Sequence, residues 1–329
     1  MRLTIIAFFL CLSFAVQAQD TFSIVAVDTT TGEFGSAGAS CLDDNNIAGG
    51  AIIISDLLPG RGAIHTQSYW NPINQANARA RMEEGLSPAE ILLWLKSNDP
   101  NGPVGAQSRQ YGIVDIDPQG HPRSAAFTGN GCLNWKGQRV GTNYSIQGNI
   151  LLGPEILDSM EMRFLNATGT LAERLMAAIQ GANVPGADSR CLSNGTSSLS
   201  AFLRIAKPDD VDGNYYLDLN VSSVPTGMEP IDSLQTLFDQ WLVSTTTTAP
   251  QNHSVRIYPN PAAGKLFVEI TGMSGRIELY AADGQLSFYQ SLQNGLNILQ
   301  PSIPSGIYMV HIIDGSLINT TKTIVWKRE

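Results

Sequence analysis

The sequence predicts an α+β body followed by a small all-β domain. Apolar strands come as hairpins separated by helix pairs, an order that suits antiparallel sheets with helices outside them better than alternating βαβ units. A Thr-rich stretch, residues 244–254, offers no apolar face to bury and reads as a linker. Beyond it, short strands punctuated by Gly and Pro suggest a β-sandwich over residues 255–329.

In chain order, Phe22, Ile24 and the run Val25-Ala26-Val27 are apolar and β-prone, so a strand runs from Thr21 to Asp28, and Asp28-Thr29-Thr30-Thr31-Gly32 has hairpin-turn chemistry, making Glu33 to Ser40 the return strand. The apolar run Ala48 to Ser55 reads as a buried strand, Leu57 to Gly62 as a loop and Ala63 to Trp70 as the next strand. A helix over Ile73 to Glu84 stops at Gly85. Ser87-Pro88-Ala89-Glu90 then opens another, with Ser87 as N-cap and Glu90 as the capping-box acid, and Ile91, Leu92, Trp94 and Leu95 as its buried face. Arg109 to Asp115 and Pro122 to Thr128 form a second hairpin about Asp117-Pro118-Gln119-Gly120. A strand at Tyr144 to Gly148 precedes helices over Pro154 to Leu165 and Leu171 to Ile179, whose apolar residues recur at three and four. Strands at Ser198 to Ala206 and Tyr215 to Val221 lead to a last helix, Pro230 to Val243. In the C-terminal domain the expected strands are Val255 to Tyr258, Lys265 to Ile270, Arg276 to Tyr280, Ile307 to Ile313 and Thr321 to Trp326.

Met1-Arg2, the apolar run Leu3 to Val16 and the small residue Ala18 describe a secretory signal peptide, residues 1–18. No later stretch reaches the roughly 18 apolar residues that a spanning helix needs. Residues 19–243 hold 13 Lys or Arg against 24 Asp or Glu, net −11, whereas residues 255–329 hold 6 against 5, net +1. An acidic body without a basic cluster argues against nucleic acid as a partner, because phosphate affinity comes from grouped Lys and Arg. Export favours one disulfide among Cys41, Cys132 and Cys191, with the pair left open. No cysteine spacing fits zinc, and Asp209-Asp210-Val211-Asp212-Gly213 lacks the length and closing Glu of an EF-hand, so neither metal nor cofactor is expected. Gly-x-Ser-x-Gly, Gly-x-Gly-x-x-Gly and His-Glu-x-x-His are all absent. Homo-oligomerisation is left open.

Thr21 is the candidate nucleophile, because a threonine at a freed N-terminus can pass its hydroxyl proton to its own α-amine, whose reference pKa is about 7.7 to 8.0. The alternative reading is a β-branched residue opening a strand. His65 could tune a nearby nucleophile or fill a hydrogen-bonded interior position. Gln67 and Asn149 could orient a substrate amide or serve an oxyanion, or tie loops together. Asp188 and Arg190 could form a charge-assisted clamp on substrate or a structural ion pair. Gly129 and Gly148 would give backbone room.

Two resemblances bear on function. Ile257-Tyr258-Pro259-Asn260-Pro261, Gly284, Ser305-Gly306-Ile307-Tyr308-Met309-Val310 and Lys322-Thr323-Ile324-Val325-Trp326-Lys327 resemble the sorting domain of the type IX secretion system of Bacteroidetes. That resemblance implies a passenger handled by the type IX machinery and carried across the outer membrane. The body is similar to domain of unknown function 1028 in Thr21 to Ala26, Thr66-Gln67-Ser68-Tyr69, Arg109 to Asp115, Phe127-Thr128-Gly129 with Cys132 and Trp135, Gln147-Gly148-Asn149 and Gly186 to Arg190. The implied fold is the four-layer αββα sandwich of N-terminal nucleophile (Ntn) hydrolases, and the implied activity is hydrolysis of a small amide or peptide by Thr21. Peptidoglycan-binding domains in some relatives hint at cell-wall peptides. The competing reading is a catalytically silent module that binds a ligand or serves at the cell surface.

The chain departs from that pattern in one respect. Relatives without a leader begin Met-Thr, whereas cleavage after Ala18 leaves Gln19 and Asp20 ahead of Thr21, and an acylated nitrogen cannot act as a base. Catalysis by Thr21 therefore requires loss of both residues, by trimming or by self-cleavage at an Asp20-Thr21 junction that resembles that of glycosylasparaginases.

Overall fold

The computed structural model describes residues 21–246, 254–271, 274–281, 283–314 and 317–327. The expected signal peptide, Gln19-Asp20 and most of the expected linker lie outside the described residues. The chain divides into two compact units, Met1–Trp241 and Leu242–Glu329.

The first unit mixes helix and sheet. One six-stranded sheet has the order β10-β9-β2-β1-β8-β7, built from β1 (Thr21–Asp28), β2 (Glu33–Ser40), β7 (Gly137–Val140), β8 (Tyr144–Gly148), β9 (Ser200–Ala206) and β10 (Leu217–Val221). A four-stranded sheet has the order β3-β4-β5-β6, from β3 (Ser55–Leu58), β4 (Gly62–Gln67), β5 (Gln110–Ile116) and β6 (Pro122–Thr128). Every pairing in both sheets is antiparallel. Helices α1 (Pro72–Glu83) and α2 (Pro88–Ser97) pack on the smaller sheet, α4 (Glu155–Asn166) and α5 (Leu171–Gln180) on the larger one, and β1 faces β4 and β5 across the space between sheets. A short α3 (Gly102–Ala106) precedes β5, and α6 (Pro230–Thr246) closes the body.

Strand alternation divides the core. Val25, Val27, Leu57, Ala63 and Val114 fill the space between the sheets, while Ile64, Tyr111 and Ile113 on the opposite face meet Ala78, Met82, Ile91 and Leu95 of α1 and α2. The expected capping box of Ser87 with Glu90 is formed at α2, and the structure adds a second, Thr170 with Glu173, at α5, where none was expected. Asn71, accepting from Ile73 N and Asn74 N, caps α1.

Two expectations are corrected. Ala48 to Ser55 is not a strand but a 3₁₀ turn, Gly50–Ile54, that enters β3. Gly49 and Gly50 sit at φ 86° and 65°, where an extended chain cannot continue, and a Cβ on Gly50 would lie 2.8 Å from Ser200 Cβ and Ser222 O. The Thr-rich segment is helical at its start, since α6 continues through Thr246. Strand β7, α3 and a 3₁₀ turn over Ser189–Asn194 arise where no element is expected.

The second unit is all-β: β11 (Ser254–Ala263), β12 (Lys265–Thr271), β13 (Gly275–Ala281), β14 (Leu286–Leu292), β15 (Gly295–Leu299), β16 (Gly306–Asp314) and β17 (Leu317–Lys327). Its hydrogen bonds form one series, β14-β13-β16-β17-β11-β12-β15, joined by parallel pairing of Ala262 with Trp326 and Ala263 with Lys327, and not the two separate sheets of a sandwich. Inward residues Leu266, Val268, Ile270, Ile277, Leu279, Val310 and Ile312 share one core. Strands β14 and β15 escape the sequence pattern because Tyr289, Leu296 and Ile298 put apolar side chains on the exposed face.

Candidate functional site

The space between the sheets changes character along its length. At one end it is apolar; at the other, the same inward-facing register of β1, β2, β4, β5 and β8 supplies Thr21, Ser23, Ser36, His65, Gln67, Gln110, Ser145 and Gln147, all buried. Most buried polar groups are hydrogen-bonded, and at this end they join into a connected network. It terminates at Thr21.

Thr21 is 1% exposed. Its nitrogen donates to Asn149 Oδ1 at 3.3 Å, and its carbonyl oxygen accepts from Gln67 Nε2 at 3.1 Å and from Asn149 N at 3.2 Å. The hydroxyl Oγ1 is buried and has no hydrogen-bond partner among the described residues. The main chain is thus held on both sides while the hydroxyl is left uncommitted, a state that the buried hydroxyls of Thr66 and Thr196 share.

Backbone carbonyls fix the amide directions behind it. Gln110 Nε2 donates to the carbonyls of Gly137 and Gly148 at 3.1 and 2.9 Å, so its Oε1 accepts from Gln67 Nε2 at 2.8 Å. Gln67 Nε2 thus spends both hydrogens, on Thr21 O and Gln110 Oε1, and Gln67 Oε1 accepts from the Ser23 hydroxyl at 2.5 Å. Ser23 Oγ, its one proton used, accepts from Gln147 Nε2 at 2.6 Å and from His65 Nδ1 at 2.9 Å. His65 is therefore the Nδ1–H tautomer, and its Nε2 accepts from the Ser36 hydroxyl at 2.6 Å. Burial, helped by the charge of Arg204, lowers the His65 pKa to about 3, which keeps the ring neutral. The hydrogen bonds of His65 are with Ser23 and Ser36, and among the described residues it has none to Thr21.

Asn149 also donates from Nδ2 to Ser68 Oγ at 3.0 Å. Three non-glycine residues with positive φ, Ser68 (54°), Tyr69 (48°) and Ile150 (53°), leave the ends of β4 and β8 beside Thr21; the β-branched Ile150 is strained there. Asp188, fully buried, accepts from Arg190 Nε at 3.0 Å and Nη2 at 2.6 Å, and from the backbone nitrogen of Cys41 at 2.9 Å. Since Ser40 pairs with Thr21, this ion pair stands next to the same strand end. The Cys41–Cys191 disulfide, Cα–Cα 5.7 Å, ties the Arg190 turn to β2. Cys132 is buried, and its thiol donates to Arg109 O. Gly129 and Gly148 give the expected room, a Cβ there falling 2.0 Å from Gln107 O and 2.6 Å from Leu151 Cδ1.

All six sequence-derived site residues thus belong to one end of the body, with Thr21, Gln67 and Asn149 in direct contact, His65 one layer deeper and Asp188–Arg190 on the flanking turn. Sequence reasoning missed Ser23, Gln110, Ser145 and Gln147. The available signal was polar residues at i and i+2 in otherwise apolar strands: Thr21 and Ser23, His65 and Gln67, Ser145 and Gln147. Among the described residues no cluster of His, Cys, Asp and Glu has the makings of a metal site.

The profile of DUF1028, described as a family of unknown function, matches residues 21–234, and that of a secretion system C-terminal sorting domain matches residues 256–327. Among solved structures, the chain is similar to a DUF1028 protein from Silicibacter pomeroyi, with 23% identity and TM-score 0.51 over 67% of this chain and 88% of that one. That likeness is one of fold. Anbu (ancestral β-subunit) from Yersinia bercovieri aligns at 12% identity and TM-score 0.34, over 70% of this chain and 98% of that one. No curated protein matches.

Proposed function

The chain belongs to the DUF1028 family, and from that premise we propose that its body is an Ntn-type amidohydrolase acting on a small amide or peptide, with Thr21 as nucleophile. The sorting domain supports export by type IX secretion, to the medium or the cell surface. Helices on the outer face of each of two facing sheets support the αββα reading. The observation that carries the proposal is the Thr21 hydroxyl, buried and uncommitted while both sides of its backbone are held.

Hydrolysis of the Asp20–Thr21 bond frees the α-amine. The amine takes the Oγ1 proton as Oγ1 attacks the substrate carbonyl carbon, then passes that proton to the departing nitrogen as the C–N bond breaks. Water hydrolyses the resulting ester and restores the hydroxyl. Asn149 Oδ1, an acceptor, orients the amine. Gln67, with both N–H groups engaged, acts as a positioning residue in this scheme and not as an oxyanion donor. Arg190, held in place by the buried Asp188, is assigned to the rim that receives the substrate.

A second reading attaches to an uncut chain: with Thr21 N an amide, no base faces Oγ1 among the described residues, and the body is a silent binding module. Intact mass of the secreted protein, alongside amine release from a panel of small amides and wall-type peptides, separates the two. A chain starting at Thr21 that releases amine supports the hydrolase; one starting at Gln19 that turns over nothing supports the silent module, and full turnover by such a chain rules out the free-amine mechanism.

A further inference from the structure

Thr21 is held from two directions, and both routes lead to adjacent residues at the start of β5. Gln110 faces the space between the sheets and reaches the Thr21 carbonyl through Gln67. Arg109, one residue earlier, points to the opposite face, where it is 5% exposed. There its Nε and Nη2 bind the two oxygens of Asp99 at 2.8 and 3.1 Å, and Nη2 also donates to Asn101 Oδ1 at 2.6 Å. Asp99, whose side chain is fully buried, accepts further from Asn74 Nδ2 and from the backbone nitrogen of Asn101. A buried guanidinium so completely matched is rigid. Its remaining terminal nitrogen, Nη1, donates to the carbonyl oxygen of Tyr69.

That carbonyl belongs to the strained pair Ser68-Tyr69, which a strand end does not adopt without an anchor. The strained turn in turn presents Ser68 Oγ to Asn149 Nδ2, and Asn149 Oδ1 receives Thr21 N. We infer that Arg109 is a positioning residue for Thr21, acting through the Ser68-Tyr69 turn and Asn149 to fix the direction of the Thr21 nitrogen. This inference rests on the reading of Thr21 as nucleophile only for its catalytic consequence; the linkage itself is present in a cut or an uncut chain. Substituting Arg109 leaves Asp188 and Arg190, the other charged pair at this end, in place.

The test compares the full exported protein with Arg109→Gln, Arg109→Lys, Ser68→Gly and, as a control that breaks a different ion pair, between Arg79 of α1 and Asp56 of β3, Arg79→Gln. The readout is the pH dependence of acetylation of the Thr21 α-amine by acetic anhydride, followed by mass spectrometry. An acceptor held against the ammonium favours its charged form, so Arg109→Gln is expected to lower the amine pKa by about one unit, a roughly tenfold change in reactivity below it. Arg109→Lys, which cannot bridge Asp99 and Tyr69 together, behaves like Arg109→Gln, and Arg79→Gln leaves the profile unchanged. Ser68→Gly cuts the link between the turn and Asn149 and decides the matter where Arg109→Gln does not fold. An unchanged amine profile in folded Arg109→Gln or in Ser68→Gly overturns the inference. If the mature chain begins ahead of Thr21, the hydrolase reading fails separately, and hydrogen exchange at the Thr21 amide replaces acetylation. Faster exchange in the same variants then upholds the linkage, and equal exchange removes it.

Discussion

At the scale of single residues, the site separates what holds Thr21 from what Thr21 offers. Because Oγ1 makes no hydrogen bond among the described residues, Thr21→Ala should abolish amide hydrolysis while costing only about 1 kcal/mol of stability, the loss of a small buried group. Urea denaturation beside an amine-release assay checks both halves; a large loss of stability would make Thr21 structural. Gly112 illustrates the converse. A Cβ there would lie 2.0 Å from Gln147 Oε1, so Gly112→Ala should displace Gln147 from Ser23 and destabilise by about 1–3 kcal/mol. His65 adds a pH signature. Its folded pKa, about 3, is below the unfolded value of about 6.5, so the unfolded chain binds the extra proton in that window and stability falls as pH drops from 6.5 toward 3. His65→Asn should flatten that slope in chemical denaturation across pH 4 to 7. A slope identical to wild type would mean that other groups set the acid sensitivity.

At the scale of elements, local chemistry set most boundaries. The capping box of α2 was legible because Ser87, Pro88 and Glu90 each satisfy a separate requirement of a helix start, and Ser87→Ala should cost about 1 kcal/mol. The Gly50–Ile54 turn was illegible because a run of apolar residues without alternation suits a buried strand and a helical turn alike. The Cys41–Cys191 bridge spans 150 residues of sequence and fastens the Arg190 turn beside Thr21. Reduction should therefore lower stability by roughly 2–4 kcal/mol. With the leader gone, unreduced unfolded protein should show a single titratable thiol, that of Cys132; three would eliminate the bridge.

At the scale of the whole molecule, the two units carry separate tasks. The C-terminal unit closes its own core around Leu266, Val268, Leu279 and Val310, and the body has its own core on either face of each sheet. Deleting residues 255–329 should therefore leave a folded body that stays in the periplasm. Fractionation of cells expressing the deletion checks this, and normal release to the medium would refute the sorting role.

The sequence alone determined the two-part plan, the hairpin of β1 and β2 to its ends, the cap of α2 and the position of Thr21 at the head of a strand. These depend on periodicity and on contacts within a few residues. It also marked Gln67, Asn149, Asp188 and Arg190, though only as residue types suited to a site. Only the tertiary structure decided which cysteines pair, that His65 is neutral and lies a layer below Thr21, and that Arg109 and Gln110 reach Thr21 by opposite faces of one strand. Each of those is fixed by register between strands distant in sequence, Thr21 against Ser40 and Gln147 against Ser23, and a one-residue slip in any of them would send every network member to the other face.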